Sequence, residues 1–563
     1  MSSNFTFHAT VAEEVMSKVT RLFNATLSDI YSEIFQNARR ANAETIVIDQ
    51  IDDPELGPCV CIADDGRGLE NPQSMFSLGR SAWDQKVYAI EDAAGMGFFS
   101  LASRGARIIA QRQETENAWV IEASPAAFSG TEPVFCSDGP IGHCGVTIII
   151  PVAENEDVKN PARVAARFCP LAITIDGELV ASKDFLADAI LVEEWKGIRI
   201  GIYERSPCRW YNEKNINFYG VTLRAGLPFL DQTFGPTLYV KIDVTRCSDL
   251  KLVLPARKEI VQDDFFQELK IAILTMLYGM ISRRPHHSLS FEDYKEGRSL
   301  GIKLKEAVSC LRPFTPNYAD CDRREKPAPE QVGGKDFLFA SPEDSIADQN
   351  FARSLERQST DLKFFDPCAA FTGYRWYDAL ARAIILGYRI STGDQMQEIS
   401  LEERVTVDGR PDQIQVLLEY HKSKKVCPLE FETDLLILGE DYDGIDEVDV
   451  HVTKSSKVTP NELAAFIEDA LFCPADSSEA GSYDQQQEWF QDEAEDFAIT
   501  LLRSGADAEL GAILRIIERK LLWHLPRDRR VLIDITGSNI IVRGLEAADS
   551  PAIEETPGFG RNS

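Results

Sequence analysis

Along the first 150 residues the apolar positions change period several times, and each change marks an element. Val11, Val15, Val19 and Leu22–Phe23 recur at three-to-four spacing after a short alternating piece, Phe5-Thr6-Phe7, and predict an amphipathic helix. Ser28-Asp29 offers an N-cap region for a second helix running to about Ala41. Thr45–Asp49 and Cys59–Ala63 read as strands, the second running straight into a glycine turn, Asp64-Asp65-Gly66-Arg67-Gly68. A polar, mixed stretch from Leu69 to Ala94 leads to another, Gly95-Met96-Gly97, and a helix signal resumes at Phe98–Ala102. Strand-like runs follow at Ala106–Ala110, Trp119–Glu122 and Val146–Ile150. Helices on one side of a mostly antiparallel sheet accommodate this order, so the expected class is α+β.

Beyond residue 155 the pattern suggests three further regions and a tail. Residues 156–290 hold strand candidates at Leu171–Ile175, Ile198–Tyr203 and Leu238–Val244, then a strong helix from Asp263 to about Ile281, as an α/β middle domain would. Residues 291–340 include Pro313, Pro316, Pro327, Pro329 and Gly333-Gly334, the composition of a linker or long surface loop. In 341–545, an α+β region, Tyr374–Ile390 predicts a helix and Glu430–Leu438 a strand. Thr459-Pro460-Asn461-Glu462 combines a Thr cap, a Pro at the first helical position and a Glu at the third. The acidic stretch 476–496 predicts a solvated surface, helix patterns continue to about Leu522, and Val531–Thr536 with Ile540–Val542 suggests a hairpin. Residues 546–563 predict a disordered tail.

Composition narrows the partners. The formal charge of −31 disfavours a protein whose main task is gripping nucleic acid or anionic membrane, without removing a local basic groove. No apolar run reaches the roughly 18–20 residues of a membrane span, and Met1-Ser2-Ser3-Asn4-Phe5 lacks a signal-peptide layout. A soluble cytoplasmic protein is the expectation. The 12 cysteines include no C-x-x-C pair; Cys59 and Cys61 would share one strand face, as buried thiols.

Three short motifs could carry chemistry. Glu33 and Asn37 lie one helical turn apart, where a carboxylate can deprotonate an attacking water and an amide oxygen can ligate a hard cation. Asp64, at a strand end, can accept from an exocyclic amine, while Gly66 and Gly68 allow a sharp turn beside a flat base. Gly95-x-Gly97 before a helix can present N–H groups to phosphate. Each alone has a plain structural reading: a solvated polar pair, an ordinary Asp-Gly turn, a tight loop.

Together, Glu33-x3-Asn37, Asp64-x-Gly66-x-Gly68 and Gly95-x-Gly97-x-x-Ser100 resemble the three boxes of the GHKL, or Bergerat-fold, ATPase superfamily. Its members include gyrase B subunits, ninety-kilodalton heat-shock chaperones, sensor histidine kinases and MutL-type mismatch-repair proteins. Gly145-x-Thr147 before Ile148–Ile150 resembles that superfamily's glycine–threonine box. The match covers residues 1–155 well, the next 130 loosely and the C-terminal third not at all. The resemblance implies that Asp64 contacts adenine with Thr147 in support, and that Gly66, Gly68, Gly95, Gly97, Phe98 and Ser100 line the ATP site. It implies that Asn37 ligates Mg2+, that Glu33 activates water, and that residues 69–97 form a lid. Leu254-Pro255-Ala256-Arg257-Lys258-Glu259-Ile260 is similar to the catalytic loop of the chaperone and MutL relatives, making Arg257 the first and Lys258 the second choice for a γ-phosphate contact. Two positions depart from the relatives. Ala41 stands where gyrase B subunits carry a glutamate that pairs with the arginine corresponding to Arg67, and Arg40 stands where the chaperones carry an aspartate. His8 is the sole histidine before Glu33 and lies in no acceptor motif, which argues against a histidine kinase.

The resemblance therefore implies a slow, chaperone-like ATPase clamp acting on protein partners, with a homodimer formed at least transiently, for instance through residues 5–23. A MutL-like nucleic-acid-processing factor, using Arg163, Arg167, Arg323-Arg324 and Lys326, is one alternative. A nucleotide-gated module in bacterial defence or mobile-element biology is another.

Overall fold

In the computed structural model of the chain, Thr26 opens the first described helix, two residues ahead of the expected cap; the helix expected over residues 11–23 lies outside the described residues. The structure describes residues 26–76, 97–112, 118–142, 144–205, 213–253, 259–320, 326–358, 361–401, 403, 405, 409–422, 425–440, 444–475, 481–502, 530–536 and 539–545. Thr26 Oγ1 accepts from Asp29 N while Asp29 Oδ2 accepts from Thr26 N, a reciprocal cap for α1 (Leu27–Arg40). Asn42, at φ 60°, ends the helix, and Ala43 N donates back to Ala38 O. Leu27, Ile30, Tyr31, Ile34, Phe35 and Ala38 form one buried stripe, which packs with Ile46, Ile48, Ile62, Ile148 and Ile150 of the sheet.

That sheet has eight strands: β1 (Thr45–Asp53), β2 (Gly57–Asp64), β3 (Ala106–Gln111), β4 (Ala118–Ala123), β5 (Phe135–Asp138), β6 (Gly145–Pro151), β7 (Ala172–Ile175) and β8 (Glu178–Val180). Their order is β5-β4-β3-β6-β2-β1-β7-β8, antiparallel except where β7 runs parallel to β1. The chain thus leaves β6, passes through a helix, Lys159–Ala166, and returns to the same sheet beyond residue 155. A parallel pair needs such a crossover. Leu171–Ile175, expected among the strands of a middle domain, in fact supplies β7.

A second sheet follows: β9 (Leu191–Trp195), β10 (Ile198–Arg205), β11 (Ile216–Phe218), β12 (Val221–Leu223) and β13 (Thr237–Val244), in the order β12-β11-β13-β10-β9. The helix Asp264–Ser282 has the length and apolarity of a membrane span. Its buried positions Phe266, Leu269, Ile273, Leu277 and Ile281 nevertheless form a single stripe, the pattern of a core helix. Residues 291–340 hold a helix, Phe291–Ser299, and short strands at Cys310–Leu311, Glu330–Gln331 and Phe337–Phe339.

Contacts divide the chain into units 1–308 and 309–563. The second unit, like the first, is α+β, built on a six-stranded sheet whose core includes Phe337, Phe339, Phe351, Phe364, Tyr388 and Phe431. Tyr374–Ile390 is not the expected helix. Only Arg375–Asp378 is helical, and Ala381–Thr392 is a central strand. Its Ala, Leu and Arg content favours helix, yet Ala381, Ala383 and Ile385 alternate inward between two neighbouring strands, and that pairing overrides propensity. The expected strand Glu430–Leu438 is two, Lys425–Thr433 and Leu435–Leu438, in different sheets. From residue 483 on, the acidic stretch belongs to a helix, Tyr483–Leu502, whose Ala494, Ala498 and Ile499 are buried; residues 476–480 lie outside the described residues. Arg530–Thr536 and Asn539–Leu545 pair as the expected hairpin. The helix signal to Leu522 and the tail 546–563 lie outside the described residues.

Candidate functional site

The face of α1 beside its buried stripe carries four polar side chains: Glu33, Gln36, Asn37 and Arg40. Their three-, four- and seven-residue spacings bring them into one row. Glu33 and Asn37 are half-buried. Arg40 is only 5% exposed, and it reaches back along the row. Its Nη1 donates to Asn37 Oδ1 at 3.1 Å and its Nη2 to Gln36 Oε1 at 3.3 Å. Sequence spacing alone could have put Gln36 and Arg40 in this group. The next residue along, Arg39, points elsewhere: its guanidinium stacks 4.1 Å over the ring of Tyr219, at the turn between β11 and β12.

The first glycine turn meets the C-terminal end of this helix. Asp64 ends β2 in the same row as Val60 and Ile62, so its carboxylate lies on the helix-covered face; it is 6% exposed. Its Oδ1 accepts from Gly66 N at 2.9 Å. Arg67 N donates to Ala41 O at 3.0 Å, so Ala41, which carries no acidic side chain, still engages Arg67 through its backbone. Asp65 braces the turn from the other side, accepting from Glu44 N, Thr45 N and Thr45 Oγ1 at 2.8, 2.9 and 2.8 Å. Burial opposes ionisation of Asp65, but the bonds from Thr45 and Glu44 outweigh it and hold the carboxyl below the usual aspartate range.

The glycines of this turn are required by the chain itself. A Cβ on Gly66 would stand 2.8 Å from Ala41 Cβ and 2.9 Å from Asp64 Oδ1. One on Gly68, at φ +71°, would meet the Gln111 carbonyl oxygen at 2.0 Å. The space their missing side chains leave is therefore filled by α1 and β3, whereas room for a flat base was the expectation.

The second glycine turn is only partly described. Gly95 and most of the expected lid lie outside the described residues, as do Arg257 and Lys258. Gly97 begins a 3-10 turn, Gly97–Leu101, in place of the expected helix, and Gly105 at φ +74° follows it. Phe98, Phe99, Ser100 and Leu101 are all buried, which leaves no solvent face for an amphipathic helix. The Phe98 ring packs against Phe76 and Phe128, with centroids 5.5 and 5.7 Å away, as core. Ser100 differs: it is 3% exposed, and its Oγ makes no hydrogen bond among the described residues. Such an orphaned hydroxyl costs about 1–3 kcal/mol, and an oxygen of a bound ligand would satisfy it.

Thr147 does not join Asp64. The cross-strand partner of Asp64 is Val146; Thr147 pairs with Ala63 and so points to the opposite face of the sheet. Placing the threonine one residue after the glycine's immediate neighbour flips it, because side chains alternate.

Magnesium was expected on Asn37, where an ion would have to share the side-chain oxygen with Arg40. Asn37 Oδ1 accepts a hydrogen bond from Arg40 Nη1 and keeps a second lone pair. An ion sharing that oxygen at a usual bond length of about 2.1 Å would lie within about 5 Å of the guanidinium. Among the described residues no group of three His, Cys, Asp or Glu side chains is gathered for a metal.

No protein-family model and no curated protein matches the chain. Among solved structures, the chain is similar to the ATPase region of Saccharomyces cerevisiae topoisomerase II bound to ICRF-187 (dexrazoxane). The two are 10% identical with a TM-score of 0.30, over 45% of this chain and 85% of the other.

Proposed function

We propose that residues 26–180 bind ATP and hydrolyse it slowly, and that the bound nucleotide drives a conformational clamp acting on protein partners. The observation that carries the reading is the convergence of two distant motifs. The turn beginning at Asp64 bonds to the end of the helix bearing Glu33 and Asn37, through Arg67 N and Ala41 O. A buried carboxylate at a strand end is thereby set on the same face of the sheet as a helix presenting a second carboxylate and a guanidinium.

In this reading Asp64 accepts a hydrogen bond from the adenine amine. Its bond from Gly66 N fixes the orientation of that carboxylate. Glu33 orients a water and takes its proton as the water attacks the terminal phosphate. Positive charge for the phosphates comes from arginine on α1. Gly97 and Ser100 contribute to the phosphate end, joined by Gly95. Arg257, with Lys258 as second choice, docks on the γ-phosphate when the clamp closes. Contact of Arg39 with Tyr219 gives α1 a direct link to the second sheet, through which a change at the site can be felt. A transient homodimer in the cytoplasm completes the proposal. Of the residues suggested for a nucleic-acid groove, Arg163 pairs with Glu178 and Arg167 lies over Phe168, which favours protein partners.

The test is labelled-ATP binding and phosphate release by the purified chain. Glu33→Ala is expected to retain binding and lose hydrolysis, while Asp64→Asn loses binding. Unchanged binding by Asp64→Asn would overturn the adenine contact, and wild-type hydrolysis by Glu33→Ala would overturn the base.

A further inference from the structure

On the basis of the nucleotide reading above, we infer that Trp119 reads the bound nucleoside, its indole N–H donating a hydrogen bond to an acceptor there. Strand register places the residue. Asp64 on β2 lies opposite Val146 on β6, Val146 opposite Ala110 on β3, and Ala110 opposite Trp119 on β4. Side chains directly opposite each other share a face, so these four line up across the helix-covered side of the sheet. Three strand spacings of about 4.8 Å put Trp119 about 14 Å from Asp64. Between them on this line stand Ala110 and Val146, small side chains that form a low floor. Trp119 is half-buried and packs against the core cluster that holds Phe98 and Phe99. Its Nε1 is nevertheless buried without a hydrogen bond among the described residues. Asp138, its cross-strand neighbour on β5, is exposed and leaves that nitrogen unmet. An indole N–H can only donate, and a buried one normally finds an acceptor. Buried phenols of this unit do: Tyr31 Oη donates to Val158 O and Tyr219 Oη to Cys247 O, at 3.1 and 2.9 Å. Ser100, between Phe99 and Leu101 of the same cluster, leaves its Oγ orphaned as Trp119 does its nitrogen. Two unmet donors therefore border one core, and Ser100 is already assigned to the phosphates. A nucleoside supplies what Trp119 lacks: a flat apolar surface for the floor, and ring nitrogens and hydroxyl oxygens at its edge.

The experiment follows labelled-ATP binding to the full chain by fluorescence anisotropy, with adenosine and inorganic tripolyphosphate as competitors. Wild type is compared with Trp119→Phe, which keeps an aromatic ring and removes the N–H. The variant should bind ATP and adenosine about threefold to tenfold more weakly, the worth of one hydrogen bond. Its affinity for tripolyphosphate should match wild type. In NMR spectra of protein isotope-labelled at tryptophan, the indole peak missing from Trp119→Phe belongs to Trp119. That peak should move downfield in wild type when ATP is added, as the hydrogen bond forms. Unchanged ATP affinity in Trp119→Phe, or an indole peak that stays in place, would overturn the inference and leave the nitrogen to a buried water. Equal weakening toward tripolyphosphate would also overturn it, because the loss would then be one of folding. No ATP binding by wild type would overturn the nucleotide reading itself, and the role of Trp119 with it.

Discussion

Replacing Gly66 by alanine should push the Asp64 turn off the end of α1, and a second substitution should partly undo the damage. The added methyl would sit 2.8 Å from Ala41 Cβ, 2.9 Å from Asp64 Oδ1 and 3.1 Å from Ala41 O. Carbon atoms rest about 3.5–4.0 Å apart, so the shortfall against Ala41 is about 1 Å. Neither neighbour is a flexible side-chain end: Ala41 caps the helix, and Asp64 is tied to Gly66 N. Overpacking of this kind costs about 1–3 kcal/mol. Ala41→Gly removes the closest of the three contacts and by itself costs roughly 0.5–1 kcal/mol through backbone entropy. Because the contacts with Asp64 Oδ1 and Ala41 O remain, rescue should be partial, with a favourable coupling of about 0.5–1.5 kcal/mol in the double-mutant cycle. In a chain of two units a single unfolding free energy is poorly defined. Native-state hydrogen exchange of the α1 amides reads the local opening directly. Labelled-ATP affinity should fall in Gly66→Ala and recover in the double variant, since the methyl displaces the Asp64 carboxylate. Effects that add to within about 0.3 kcal/mol would refute the proposed contact between turn and helix.

Two other outcomes test neighbouring parts of the site. Asp65 has a depressed pKa in the folded chain, so its bonds to Glu44 and Thr45 stabilise fully above the ordinary aspartate value near 4, and the stabilisation is lost as pH falls through the depressed one. Asp65→Asn should therefore be locally less stable than wild type by roughly 1–3 kcal/mol at pH 7, with the gap closing as pH is lowered below about 4; a gap independent of pH in native-state hydrogen exchange of the β1 amides would remove the brace. Gly68→Ala, strained at φ +71° and driven into the Gln111 carbonyl, should unfold the β2–β3 region by more than about 3 kcal/mol. Native-like hydrogen exchange of the β3 amides in that variant would contradict the close approach.

Local patterns in the sequence carried much of this protein. The three-to-four spacing of Leu27, Ile30, Tyr31, Ile34, Phe35 and Ala38 already determines a helix with one buried stripe. The same periodicity lines up Glu33, Asn37 and Arg40. The apolar run Cys59–Ala63 determines a strand that delivers Asp64 at its end, and Thr459–Glu462 determines a capped helix start, with Thr459 and Glu462 bonded reciprocally. These are periods and caps, set within a few residues of chain. Tertiary structure decided whatever depends on which segments meet. β7 crosses back to lie beside β1, and Ala381–Thr392 becomes a central strand, although neither stretch has a local signature for its neighbours. Register put Val146 beside Asp64 and sent Thr147 to the other face, a difference of one residue that composition cannot encode. Contact between helix and turn gave Gly66 its reason to be glycine. The bend of one buried side chain brought Arg40 onto the oxygen of Asn37. Periodicity is a property of a segment, whereas pairing and close approach belong to two segments at once, so only the folded chain could determine them.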